Sequence, residues 1–199
     1  MNLALTELLE DKENRMNFSD EQLEIIAYGL EGTYLTFTKM IVIFLVASIL
    51  CIFKEILLLL ISYNIIRSQA FGIHASKSIY CLISSLIMFV GGALVCKLCT
   101  LPFELVISLA ILCDVCLLLY APADTHKRPL VNKKKRKRFK FLSFLFGIIY
   151  TILIIVFKDS YIVNFLLVGM IEAVIMILPI TYKTFKLPYN NYKTYNCGV

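Results

Sequence analysis

The sequence predicts an all-α fold, a polytopic transmembrane helical bundle preceded by an N-terminal amphipathic helix. Three observations predict it. Hydrophobic residues fill 59% of the 199 positions, above the roughly 45–50% of an ordinary soluble domain, and the mean hydropathy is +0.80. These residues gather into runs that reach or approach the ~20 positions needed to cross a bilayer core. Backbone groups in lipid find no water to bond, so such runs must satisfy themselves internally as helices.

Residues 1–32 read as a cytoplasmic N-terminal segment. The first eighteen are mostly polar and acidic, without the basic and apolar regions of a cleaved signal peptide. Ser19 and Gln22 form a capping box, and Asp20 and Glu21 suit a positive helix N-terminus. Leu23, Ile26, Ala27 and Leu30 recur at helical spacing. Residues 19–31 are therefore expected as an amphipathic helix on the membrane surface or against the bundle.

Residues 33–182 read as the membrane domain and 183–199 as a cytoplasmic tail. Lys54 and Glu55 interrupt the apolar run 40–66. Two segments are expected there, 34–53 and 55–66, the second short, tilted or partly re-entrant. Longer spans follow at 78–96, 101–121, 141–157 and 161–182, giving about six membrane segments.

Nine of the fourteen residues 127–140 are Lys or Arg. The positive-inside rule puts this basic loop, 122–140, in the cytoplasm. The linker 67–77 and the tail fall on the same side, and the turns near Thr100 and Lys158 lie outside. Lys133, Lys134, Lys135, Arg136, Lys137 and Arg138 are candidates for docking anionic lipid, each charge contributing about 1 kcal/mol near the surface, or an acidic substrate tail. Nucleic acid is not expected at a run pinned between two membrane helices.

Seven cysteines, most inside apolar runs, do not form a secreted disulfide framework. Cys96 and Cys99, with Cys113 and Cys116, imitate paired zinc ligands. The second pair begins eleven residues beyond Pro102, about 16 Å deeper along a helix. No metal and no cofactor is expected.

The chemistry concentrates between Arg67 and Cys81. His74 stands in the polar linker before a span, and Cys81 follows seven residues later. A cysteine nucleophile needs a base, because the thiolate reacts and a free thiol has a pKa of about 8.5. In one continuous helix the two would stand about 10 Å apart along the axis, too far for proton transfer. The helix is therefore expected to start after His74, with Ser76 or Ser78 as its N-cap and Cys81 in its first or second turn. Gly72 would let the preceding chain fold back. Spacing alone also fits a loop histidine and a small membrane-helix cysteine.

The string of Arg67, Gly72, His74 and Cys81 resembles the signature of the AgrB family, the accessory gene regulator B membrane peptidases of Gram-positive quorum sensing. The string from Tyr120 to Pro129 (Tyr-Ala-Pro-Ala-Asp-Thr-His-Lys-Arg-Pro) resembles that family's segment before its basic loop, and Tyr28-Gly29-Leu30 also matches. Phe71 departs from the family, where many members carry a second glycine. The resemblance implies a cysteine endopeptidase that cleaves an AgrD-like propeptide, with Cys81 as nucleophile and His74 as base and acid. Arg67 and Gly72 would support the site. The implied acyl-enzyme is a thioester, which a propeptide cysteine converts into a cyclic thiolactone. A homodimer is also compatible with the resemblance.

Asp124 lies on the same side as His74 and either orients it, as the third member of a triad does, or belongs to a helix-end turn. Asp114 and Glu172 lie inside apolar spans, where a carboxylate is costly. They support an alternative, a small transporter or exporter using intramembrane ionisable groups.

Overall fold

The computed structural model describes residues 20–73, 78–99, 101–125 and 130–192. Its regular elements among these residues are helices, and Phe71 and Ala123 form an isolated parallel bridge. Residues 1–45 and 46–199 are separate compact units. Three described helices are long and apolar enough to cross a membrane: Ile79–Leu98, Phe103–Tyr120 and Lys133–Val156. Thr36–Ile49 and Ile162–Ile175 are shorter apolar helices.

Helix α1 spans Asp20–Ile49. It runs without a break at residues 32–33, so the separate amphipathic helix expected at 19–31 is absorbed into one long element. Helix α1 ends at Ile49, a few residues before the break expected at Lys54 and Glu55, which lie instead in the first turn of the next helix. Cys51 takes a left-handed φ of 53°, and Ile52 N–H reaches back to Ala47 O at 2.9 Å, a Schellman-type stop. Helix α2, Phe53–Ala70, starts at once, with Glu55 in its first turn, where an acid suits the helix dipole.

Helix α3 (Ser78–Leu86), a π-turn (Ile87–Gly91) and α4 (Gly92–Leu98) form one continuous rod. Helix α5 spans Phe103–Tyr120. Helix α6, Lys133–Val156, is capped by Asn132, whose Oδ1 accepts from Lys134 N–H at 2.9 Å and Lys135 N–H at 3.2 Å. The basic run expected in a loop is thus the opening of a helix for residues 133–140. Asn132 is the cause, because its side chain satisfies two of the four amides left open at a helix start.

Helix α7 covers Ile162–Ile175 and α8 covers Pro179–Thr184. The span expected at 161–182 is broken because Pro179 lacks the amide to continue the helix and forces Leu178 into extended backbone, φ −63° and ψ 138°.

Helix α2 packs against α7 and α6, and α5 against α6 and α7. Lipid supplies no hydrophobic drive between apolar helices, so close packing and interhelical hydrogen bonds must hold them. Glycines allow that approach: a Cβ on Gly169 would meet Ser62 and the Tyr63 amide nitrogen, the latter at 2.9 Å. Tyr150 donates across the interface to Ser62 O at 2.9 Å. One core cluster gathers Ile66, Ala70, Leu117, Met170, Ile177 and Tyr182. A second gathers Val106, Ala110, Ile154, Val163 and Leu167.

Candidate functional site

The end of α2 is a built turn. Phe71 leaves the helix at φ 59°, its amide bonded to Arg67 O at 3.0 Å, and Gly72 follows at φ +114°. Three backbone bonds tie this turn to distant segments. Ala123 N–H donates to Ala70 O at 3.0 Å, Gly72 N–H to Ala123 O at 2.8 Å, and Ile73 N–H to Met176 O at 3.1 Å. The guanidinium of Arg67 folds over the turn and donates through Nη2 to Ile73 O. A Cβ on Gly72 would strike Arg67 Nη1, and would stand 2.6 Å from Met176 O. Gly72 is needed twice, for its backbone conformation and for the arginine that lies against it.

His74 lies outside the described residues, as does His126. Helix α3 spans Ser78–Leu86, with Cys81 in its first turn; the expected separation of His74 from this helix falls outside the described residues. Cys81 is half-buried, and Ser84 and Ser85 both donate to its carbonyl, at 3.1 and 2.7 Å. Its position follows from the antiparallel pairing with α2. Glu55 meets Lys97 at 3.6 Å, Leu59 meets the notch at Gly92, and Tyr63 packs edge-on to Phe89 at 5.3 Å. These contacts run residues 89–98 antiparallel to α2 and lead the rod back toward the C-terminal end of α2. Tyr63 lies within electrostatic reach of both Arg67 and Cys81.

Asp124 is buried at 3% exposure. Its Oδ1 accepts Asn191 N–H at 3.1 Å, and its Oδ2 accepts Tyr192 N–H at 2.8 Å and Leu130 N–H at 3.4 Å. Its carbonyl accepts Tyr182 OH at 3.0 Å. Asp124 therefore knots the C-terminal strap to the segment that holds the Gly72 turn.

Of the basic residues, Lys133, Lys134, Lys135, Lys137 and Arg138 are exposed. Arg136 differs, because it stacks on the Tyr192 ring at 3.2 Å from the centroid. Burial pushes the neighbouring Tyr189 hydroxyl up in pKa, opposed by Arg136. Phe139 packs edge-on to Phe71 at 4.9 Å, so α6 touches the linker after α2 through the residue that departs from the family pattern.

Asp114 Oδ2 accepts Thr151 Oγ1–H at 2.7 Å, and its Oδ1 faces Gly147. Glu172 sits in another interface, its Oε1 against Gly92 of α4. A cavity of about 380 Å³ lined by Glu55, Lys97, Asp159 and Asn164 lies at the far end of α2 from Arg67 and is separate from the Cys81 site. The sequence singles out Arg67, Gly72, Cys81 and Asp124 but not Met176, which contributes through its backbone carbonyl, nor Asn191, which binds Asp124 through both its amide N–H and its side chain.

Comparison with known proteins bears on the family to which the chain belongs. A model of the family described as Accessory gene regulator B matches residues 4–178. An AgrB-like protein of Clostridium acetobutylicum is 33% identical, over 94% of this chain and 90% of its own. An AgrB-like protein of Listeria monocytogenes is 29% identical over 97% and 96%. The accessory gene regulator protein B of Staphylococcus aureus is 29% identical over 85% and 90%. No solved structure matches. Helices of membrane-crossing length, the ordered motif and these relatives agree, and the chain belongs to the accessory gene regulator B family of membrane proteins.

Proposed function

We propose that this protein acts in accessory gene regulator quorum sensing as a membrane cysteine endopeptidase, with Cys81 as nucleophile and His74 as general base and acid. The observation that carries this reading is Cys81 in the first turn of α3, within electrostatic reach of the Tyr63 that Arg67 also reaches. A helix N-terminus favours a thiolate. Ile73, whose carbonyl Arg67 holds and whose amide is bound to Met176, is the residue immediately before His74.

The chemistry balances without a cofactor. His74 takes the thiol proton, and Cys81 Sγ bonds to the scissile carbonyl carbon of an AgrD-like propeptide. The C–N bond breaks as His74 returns the proton to the leaving amine, which leaves a thioester on Cys81. A propeptide cysteine thiol then attacks that carbonyl and releases Cys81, and the product is a cyclic thiolactone. Exclusion of water at a membrane edge keeps hydrolysis from competing. The exposed lysines of α6 would dock an acidic propeptide tail and anionic lipid, on the cytoplasmic side by the positive-inside rule. Asp124 supports the site by holding the strap and the Ala123 segment together. An export reading would need Asp114 and Glu172 on one path, and their separate interfaces favour helix fastening instead.

The test is reconstitution in vesicles with the candidate propeptide. Native protein is expected to cleave it and to trap a thioester on Cys81. Cys81→Ala and His74→Ala are expected to lose at least a hundredfold in rate. Native rates in either variant would overturn the assignment.

A further inference from the structure

The rod from Ser78 to Leu98 does not keep a single helical period. Its packed half buries Ala93 and Cys96. The half that carries Cys81 has no buried residue among its described side chains, and Ile79, Tyr80 and Ile83 are exposed on it. Between the halves lies the π-turn Ile87–Gly91.

Each residue of a regular helix turns the chain by about 100°. A π-turn closes its hydrogen bond one residue later, so it takes up one extra residue without advancing the face. Cys81 and Ala93 are twelve residues apart. In a regular helix they would differ by about 120° in direction. With one residue absorbed the difference falls to about 20°. The exposed stripe gives the same answer independently. Ile87 and Val95, exposed at 68% and 51%, would diverge by about 80° in a regular helix and by only about 20° across the π-turn. Cys81 and Ser85 each lie two residues from exposed Ile83, about 200° around the helix, on the side away from it.

We infer that the π-turn at Ile87–Gly91 is the device that aims Cys81: it absorbs one residue, so the catalytic turn shares a face with the packed side of Ala93 and points at the end of α2. The importance of that aim rests on the proposed role of Cys81 as nucleophile. The geometry does not. A regular helix of this length would carry Cys81 a third of a turn toward the exposed stripe. π-turns of this kind recur at functional sites.

The consequence for length changes is opposite to the usual one. Deleting Met88 restores a regular helix with both halves in their present directions. Inserting one alanine between Ser85 and Leu86 turns Cys81 by about 100°. The test is a cross-link, made by a short thiol-to-thiol reagent between Cys81 and Tyr63→Cys in a chain whose other cysteines are replaced. The native spacing and the Met88 deletion are expected to cross-link to within a factor of two of each other, and the insertion at least tenfold less. Loss of the cross-link in a folded deletion, or its retention in the insertion, would overturn the inference. Deletion of Val90 is the parallel variant, and the insertion decides alone should neither deletion fold. Processing is measured separately in chains with Tyr63 and all native cysteines, where the Met88 deletion is expected within a few-fold of native. If the native chain does not process at all, the peptidase reading fails while the cross-linking pattern still judges the π-turn.

Discussion

The Arg67 guanidinium occupies the space that a Cβ on Gly72 would fill. Two positions five apart in the signature string are therefore one object, an arginine folded over a glycine turn. Gly72→Ala is expected to collide with that guanidinium and to strain a backbone at φ +114°, a strain of about 1–3 kcal/mol by itself. Processing should fall by more than tenfold and the melting temperature in detergent should drop. Arg67→Ala added to Gly72→Ala should destabilise by less than the sum of the two, because removing the side chain relieves the collision. Additive melting shifts would contradict the shared space.

Asp124→Asn tests the strap. Both carboxylate oxygens accept backbone amides, and an amide side chain supplies one acceptor while turning a donor toward another N–H. The unmet amide should cost about 1–3 kcal/mol. Limited proteolysis should then cut within residues 187–192 several-fold faster than in the native chain. Unchanged protection would remove Asp124 from its structural role.

Arg136→Lys separates stacking from charge. The substitution keeps the positive charge and loses the planar contact with Tyr192, which Lys does not reproduce. Vesicle binding should stay within twofold, while the strap becomes more protease-sensitive. Replacing Lys133, Lys134 and Lys135 by Gln should do the reverse, weakening binding to anionic vesicles by about 1 kcal/mol per charge.

Thr151→Val removes the hydroxyl that donates to Asp114 at nearly constant volume. The expected destabilisation is about 1–3 kcal/mol, read as a lowered melting temperature, with Thr151→Ser close to native. Equal melting of the valine and serine variants would show that the bond contributes nothing.

The parts that were legible from the residues have local causes. Lys54 and Glu55 in an apolar run marked the division of α1 from α2, which falls at Cys51. The expected first-turn position of Cys81 agrees with a helix from Ser78, whereas Ser78 is itself helical and not the cap that precedes it. The basic run was read for the side of the membrane it prefers, a rule silent about backbone conformation. The Asn132 cap is what makes it helical. The π-turn left no trace, because one extra residue in a run apolar on all sides alters no pattern of polar and apolar positions. The bonds of Gly72 to Ala123 and of Ile73 to Met176 join backbone groups across long stretches of sequence, and only folding reveals them.

The Asp124 knot also fixes where the chain departs. Tyr192 is bound to it through its amide, and seven residues follow to Val199. Fully extended, they reach at most about 25 Å. A fluorophore or fusion partner joined after Val199 is thus leashed to the neighbourhood of the Gly72 turn. Its signal reports the crowding and polarity of that end of the bundle rather than of open solvent.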